Sequence, residues 1–168
     1  MSSIPTFPST DTRLLELVSA ARLSTYVDGC AGDLGAAVRL YAWNAAVSAA
    51  LWQPLGHVEV ALRNAMSIAL AERQRRSRIA RRHTVLWPDL AGAFPGAPDR
   101  RRETVEDPVA RLHELRNRIA HHQPIWNRDL PARDADVLLV AGFLEADLPA
   151  WIARDCRVRA LLRARPRP

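Results

Sequence analysis

Val105, Val109, Leu112, Leu115 and Ile119 recur at three- and four-residue steps, which fits one face of a helix and does not fit a strand. A helix in this phase turns that arc toward a core. It sets His113, Asn117 and His121 in line along another side at four-residue spacing, with Arg116 at the edge of the arc. Pro124 biases Gln123 away from helical backbone, so the helix is expected to end near His121 or His122.

The run Arg116 to His122 reads Arg-Asn-Arg-Ile-Ala-His-His. Cleaving RNA without a metal requires a group to take the 2′-hydroxyl proton, a cation for the charge that builds on phosphorus, and an acid for the leaving oxygen. Imidazole can serve as base or acid, and a guanidinium fork matches two phosphate oxygens. Asn117 would orient rather than react. At about 100° per residue, Arg116 and His121 diverge by roughly 140° on one helix, so a second copy of the helix could complete a site. The alternative is a solvated helix end, where Arg and His are favoured by the helix dipole alone.

The spacing Arg116-Asn117, two residues, Ala120-His121 resembles the signature of the HEPN superfamily. The continuation His121-His122-Gln123-Pro124-Ile125 is similar to the Abi-like (abortive infection) proteins within it, with Gln123 where such proteins usually carry Glu. Ser19, Arg22, Leu23 and Tyr26, then Leu40-Tyr41, Trp43-Asn44 and Glu59 to Asn64, then Leu86-Trp87-Pro88 and Phe94-Pro95, extend the resemblance in order over most of the chain. The connection from Arg82 to Leu86 is shorter than in longer members. The resemblance implies an all-α, HEPN-like helical bundle acting as a dimeric, metal-independent endoribonuclease, with Arg116, Asn117 and His121 catalytic. Toxin or phage-defence activity, and an antitoxin or other neutralising partner, are further implications. In such a bundle Glu59 or Arg63 can approach the motif helix and hold Arg116 or His121, with His113 and His122 as further support. A non-catalytic RNA-binding or regulatory dimer is the alternative.

A chain of 168 residues with 48% hydrophobic residues has enough apolar side chains for one domain with a core. The expected division is an N-terminal arm over 1–10, the domain over 11–164 and a basic, frayed tail over 165–168. Net charge is +6 and every strongly basic residue is Arg, which suits an anionic partner such as RNA but also follows from heavy use of Ala, Pro and Arg. Arg73, Arg75, Arg76, Arg78, Arg81 and Arg82 form one basic run and Arg100, Arg101 and Arg102 another; both are candidate phosphate contacts or ordinary solvated faces. Cys30 and Cys156 are too few for a disulfide framework. The start lacks a leader pattern and no apolar run reaches membrane-spanning length, so a soluble, cytoplasmic protein is expected. His113, His121 and His122 have poor spacing for a metal site and no cofactor is expected.

Elsewhere the pattern predicts a helix over about 35–51, a turn at Pro54, and the longest helix from Leu55 to about Arg82. The stretch 83–108 reads as a long ordered loop pinned by Trp87 and Phe94. Asp134 to about Ala146 is the closing bundle helix, broken by Pro149 and followed by one short helix from Trp151. Tyr41 and Trp43-Asn44 are read as core anchors or as contacts for RNA bases.

Overall fold

The computed structural model describes residues 17–76 and 87–166, leaving the expected arm 1–10 and Arg78, Arg81 and Arg82 outside the described residues. Among the described residues the regular elements are all helical. Helix α1 (Ala20–Gly29) is capped by Ser19, whose hydroxyl accepts from Arg22 N at 3.4 Å, and it buries Leu23 and Tyr26. The turn after it uses Gly32 at φ 88, a left-handed backbone that glycine adopts without a Cβ clash. Asp33 then caps α2, accepting from Ala36 N at 2.9 Å.

Helix α2 runs unbroken from Leu34 to Arg76, 43 residues, with Pro54 inside it. This corrects the expected turn. Proline removes one backbone donor and crowds the preceding carbonyl, at a cost of about 3 kcal/mol in an exposed helix interior. Here the apolar phase does not reset across it. Leu40, Val47 and Leu51 before Pro54, and Leu55 and Val58 after it, belong to the same buried core. A single continuous face of burial outweighs one local defect.

The segment after residue 86 is shorter on loop than its Pro and Gly content suggests. Helix α3 (Trp87–Leu90) leads into a 3₁₀ turn over Ala91–Ala93, and α4 (Arg102–Ala120) begins well before Pro108, which lies inside it. Trp87 stacks on Phe94 with ring centroids 6.0 Å apart and donates from Nε1 to Arg100 O at 2.8 Å. Phe94 is buried, so the pair fastens the connection to the bundle. In α4 the buried set is Val105, Pro108, Leu112, Leu115 and Ile119, with Val109 at its edge.

Helix α5 (Leu130–Leu144) starts four residues earlier than expected, because Asp129 caps it by accepting from Ala132 N at 3.1 Å and Pro131 occupies its first turn, where no donor is needed. Pro149 likewise opens α6 (Leu148–Arg154) rather than ending a helix, and a further helix, α7 (Val158–Arg163), follows. Two nearly buried carboxylates on α5 tie the bundle together. Asp136 takes both Arg111 of α4, at 2.7 and 3.0 Å, and Arg133, at 3.1 Å, while Asp134 takes Arg159 of α7 at 3.1 Å. Near the chain end Arg165 lies over the Trp43 ring at 5.5 Å, and Trp43 Nε1 donates to Leu161 O at 2.8 Å. No described helix is long and apolar enough to cross a membrane, and both cysteines are free thiols.

Gly96 donates to Phe143 O at 3.0 Å, and a Cβ added there would collide with the backbone carbonyl oxygen of Gly142. Gly96→Ala should therefore lower stability by about 1–3 kcal/mol in urea denaturation. Gly142→Ala, whose Cβ would meet only Pro149 Cγ at 3.5 Å, should be neutral or stabilising. Equal behaviour of the two variants would contradict this packing.

Candidate functional site at the end of helix α4

The end of α4 is closed by backbone hydrogen bonds that force one residue into an unusual conformation. Gln123 N donates to Arg118 O at 2.8 Å and His122 N to Ile119 O at 3.0 Å, the paired bonds of a Schellman turn. That turn places His122 at φ 52, a left-handed position usually taken by glycine. His121 is the C-cap, with its N–H bonded to Asn117 O. Both imidazoles are exposed, and among the described residues neither side chain makes a hydrogen bond or ion pair.

The backbone beyond the turn is gripped from two sides. Arg118 donates to Pro124 O from Nη2 at 2.7 Å and from Nε at 3.2 Å. From α2, the buried Asn44 accepts at Oδ1 from Ile125 N and Trp126 N, both at 2.9 Å. The two donors fix which end of the amide faces them, so Oδ1 is assigned by chemistry. Asn44 is therefore the core anchor that the sequence suggests, and it also positions the motif, which the sequence pattern does not show. The signal for the anchor was present: an Asn four residues after Leu40 and three before Val47 lies on the apolar phase of a long helix, and a buried amide there must be satisfied.

On the face of α4 toward α2, a chain of polar contacts runs along a groove of about 230 Å³ floored by Leu55, Val58 and Leu112. Glu59 receives Arg63 at 2.9 Å and Arg116 Nε at 3.5 Å. Arg116 Nη1 lies 3.4 Å from Asn117 Oδ1, and Asn117 Nδ2 lies 2.9 Å from His113 Nε2. With Asn117 accepting from Arg116, its Nδ2 is the donor and His113 Nε2 the acceptor. The Arg116 guanidinium also lies over the Trp52 ring at 5.6 Å. These ion pairs are half exposed and each contributes little to stability. Their effect is to fix the direction of Arg116.

The structure thus gathers Glu59, Arg116, Asn117 and His113, with Arg63 joined only through Glu59. His121 and His122 stand past the helix end, and no hydrogen bond or ion pair joins either to Arg116. His122 shares a second groove with Trp52, whose ring also meets Arg116. Among the described residues, no group of three or more His, Cys, Asp or Glu side chains could hold a metal ion.

The basic runs lie elsewhere. Arg75 and Arg76 stand 16 and 17 residues beyond Glu59 on α2, roughly 24 Å along the helix. Arg102, at the start of α4, is paired with Glu106 at 2.6 and 2.8 Å, and Arg101 N donates to Asp99 at 3.0 Å. Arg100 and Arg73 line one groove, and Arg73 pairs with Asp89 at 3.3 Å. Because α4 runs antiparallel to α2, both runs fall at the end of the bundle opposite the histidines.

Asn44→Ala should cost roughly 2–4 kcal/mol, since it strands two backbone donors, one of them on the fully buried Ile125. Chemical denaturation reads this directly, and a loss below about 0.5 kcal/mol would show that the double acceptance does not matter.

Comparisons of the chain with protein-family models, with curated proteins and with solved structures find no match, so the reading of the site rests on its geometry and chemistry and on the resemblance of its motif.

Proposed function

We propose that this protein is a metal-independent endoribonuclease of the HEPN type, an Abi-like effector of phage defence or of a toxin–antitoxin pair, working as a homodimer in the cytoplasm. The observation that carries the reading is a half-buried Arg116 held by Glu59 and Asn117, with two exposed imidazoles five and six residues further on to which no described side chain hydrogen-bonds. Preorganised charge beside unengaged acid–base groups is what phosphoester cleavage through a neighbouring hydroxyl requires.

In this mechanism His121 takes the proton of the RNA 2′-hydroxyl, whose oxygen attacks phosphorus. Arg116 stands against the phosphate oxygens as charge builds, and Asn117 keeps Arg116 and His113 oriented. The 5′-oxygen leaves with a proton from an acid, for which His122 is the neighbouring imidazole, and a 2′,3′-cyclic phosphate remains. A second copy of α4 brings an additional Arg116 and His121 to the same place, which answers their divergence on one helix.

A second reading, RNA binding or regulation without chemistry, is favoured by the distance between the basic runs and the helix end. Mixed RNA incubated with purified protein and chelator separates the two. Discrete fragments ending in 2′,3′-cyclic phosphate are expected, and His121→Ala should remove on the order of 100-fold or more of the rate while leaving the unfolding midpoint nearly unchanged. His122→Gly, which relieves the left-handed strain, should keep or raise stability and lose less activity. Undiminished cleavage by His121→Ala would refute the catalytic assignment, and RNA retention without fragments would favour the binding module.

A further inference from the structure

The second groove, about 490 Å³, lies between α1, α2 and the end of α4, and of its lining only His122 has a part in the steps above. Its volume is in the range of sites that hold small organic ligands. Tyr41 and Trp52 supply aromatic surface, Trp52 being 47% exposed, and small residues of α2, Ala45 and Ala49, leave the space between them open. Arg22, His122 and Gln123 also line it. Tyr26, packed edge-on against Tyr41 at 5.4 Å, closes its inner side; burial, with Tyr41 adding to it, pushes the Tyr26 hydroxyl up to about 12, so this wall stays neutral.

Asn44 gives the groove its polar floor. The residue is only 7% exposed, and its Oδ1 is committed to Ile125 N and Trp126 N. Its Nδ2 has no hydrogen-bond partner among the described residues, yet Asn44 lines the groove. Nδ2 is not sealed from solvent, so it offers a donor at the groove to whatever occupies it. Aromatic walls, a donor at the floor and the Arg22 guanidinium at the edge match one unpaired nucleotide: a base that stacks and offers a carbonyl or ring nitrogen, and a phosphate that stays outside.

We infer that this groove is a nucleobase subsite, which takes an unstacked base of single-stranded RNA against Tyr41 and Trp52 with its acceptor edge on Asn44 and its phosphate toward Arg22 and His122. The inference rests on the proposed RNA reading of the adjoining helix end and extends it to how the strand is held. Trp52 links the subsite to Arg116, whose guanidinium lies over its ring. A base seated there leaves the neighbouring phosphate beside the imidazoles.

The test is binding, read without catalysis. The full chain is titrated with uridine and adenosine 5′-monophosphate, with ribose 5-phosphate as a control lacking a base, and with a short single-stranded 2′-deoxy oligonucleotide that cannot be cut through a 2′-hydroxyl. The expected result is a shift of the Asn44 side-chain amide and Trp52 indole NMR signals with millimolar nucleotide and with less oligonucleotide, and none with ribose 5-phosphate. Ala49→Phe, which fills the groove from an exposed position, should weaken binding about tenfold or more, as should Trp52→Ala. Ala49→Phe spectra elsewhere unchanged from the parent establish that the fold survives. Equal shifts with ribose 5-phosphate, parental affinity in Ala49→Phe, or no response because a second copy or another apolar partner covers Trp52, would each overturn the subsite. Binding that persists in a protein unable to cut RNA would sink only the catalytic reading.

Discussion

One amide oxygen holds the end of the motif helix in place. Asn44 Oδ1 accepts from Ile125 N and Trp126 N, and no other α2 side chain hydrogen-bonds to this connection among the described residues. A loop that enters a core must find acceptors for its N–H groups or lose the stability that burial would give. Ile125 can be fully buried because Asn44 meets its backbone, and its burial anchors the chain three residues beyond His122. The Schellman turn, the strained His122 and the orientation of the helix end all follow from where that anchor lies.

The continuity of α2 is what puts both supports on one rod. Asn44 reaches the residues after the motif and Glu59 reaches Arg116, and they are 15 residues apart on the same uninterrupted helix. Had Pro54 broken it, two independent elements would have had to be held in register. Packing of Leu51, Leu55 and Val58 on either side of the proline keeps the rod whole. Trp52 lies between the two supports; it lines the aromatic groove at His122 and its ring meets Arg116, so that groove and the polar chain are neighbours through one side chain.

The motif helix was legible in its sequence because its apolar arc has only one period that buries it, and Pro124 marks its end. The contact between Glu59 and Arg116 was anticipated in kind. Proline misled in both directions: Pro54 and Pro108 lie within helices because burial along an unbroken face overrides a missing donor, whereas Pro149, expected to break a helix, opens one. The arginine runs could not be placed from composition, since whether they stand beside the histidines depends on the antiparallel sense of α2 and α4. Asn44 could have been found by asking what an amide on an apolar phase would bond. The identity of its partners, more than 80 residues away, lies in tertiary structure alone.

Native-state hydrogen exchange at Ile125 and Trp126 tests the anchor most directly, because these amides lie outside any helix and owe their protection to one side chain. Both should exchange only in global unfolding, as slowly as the amide of the fully buried Val140 in α5. Exchange at those two positions by local opening, at rates like those of exposed loop amides, would show that the connection is not held by Asn44 and that the helix end has no fixed geometry for chemistry.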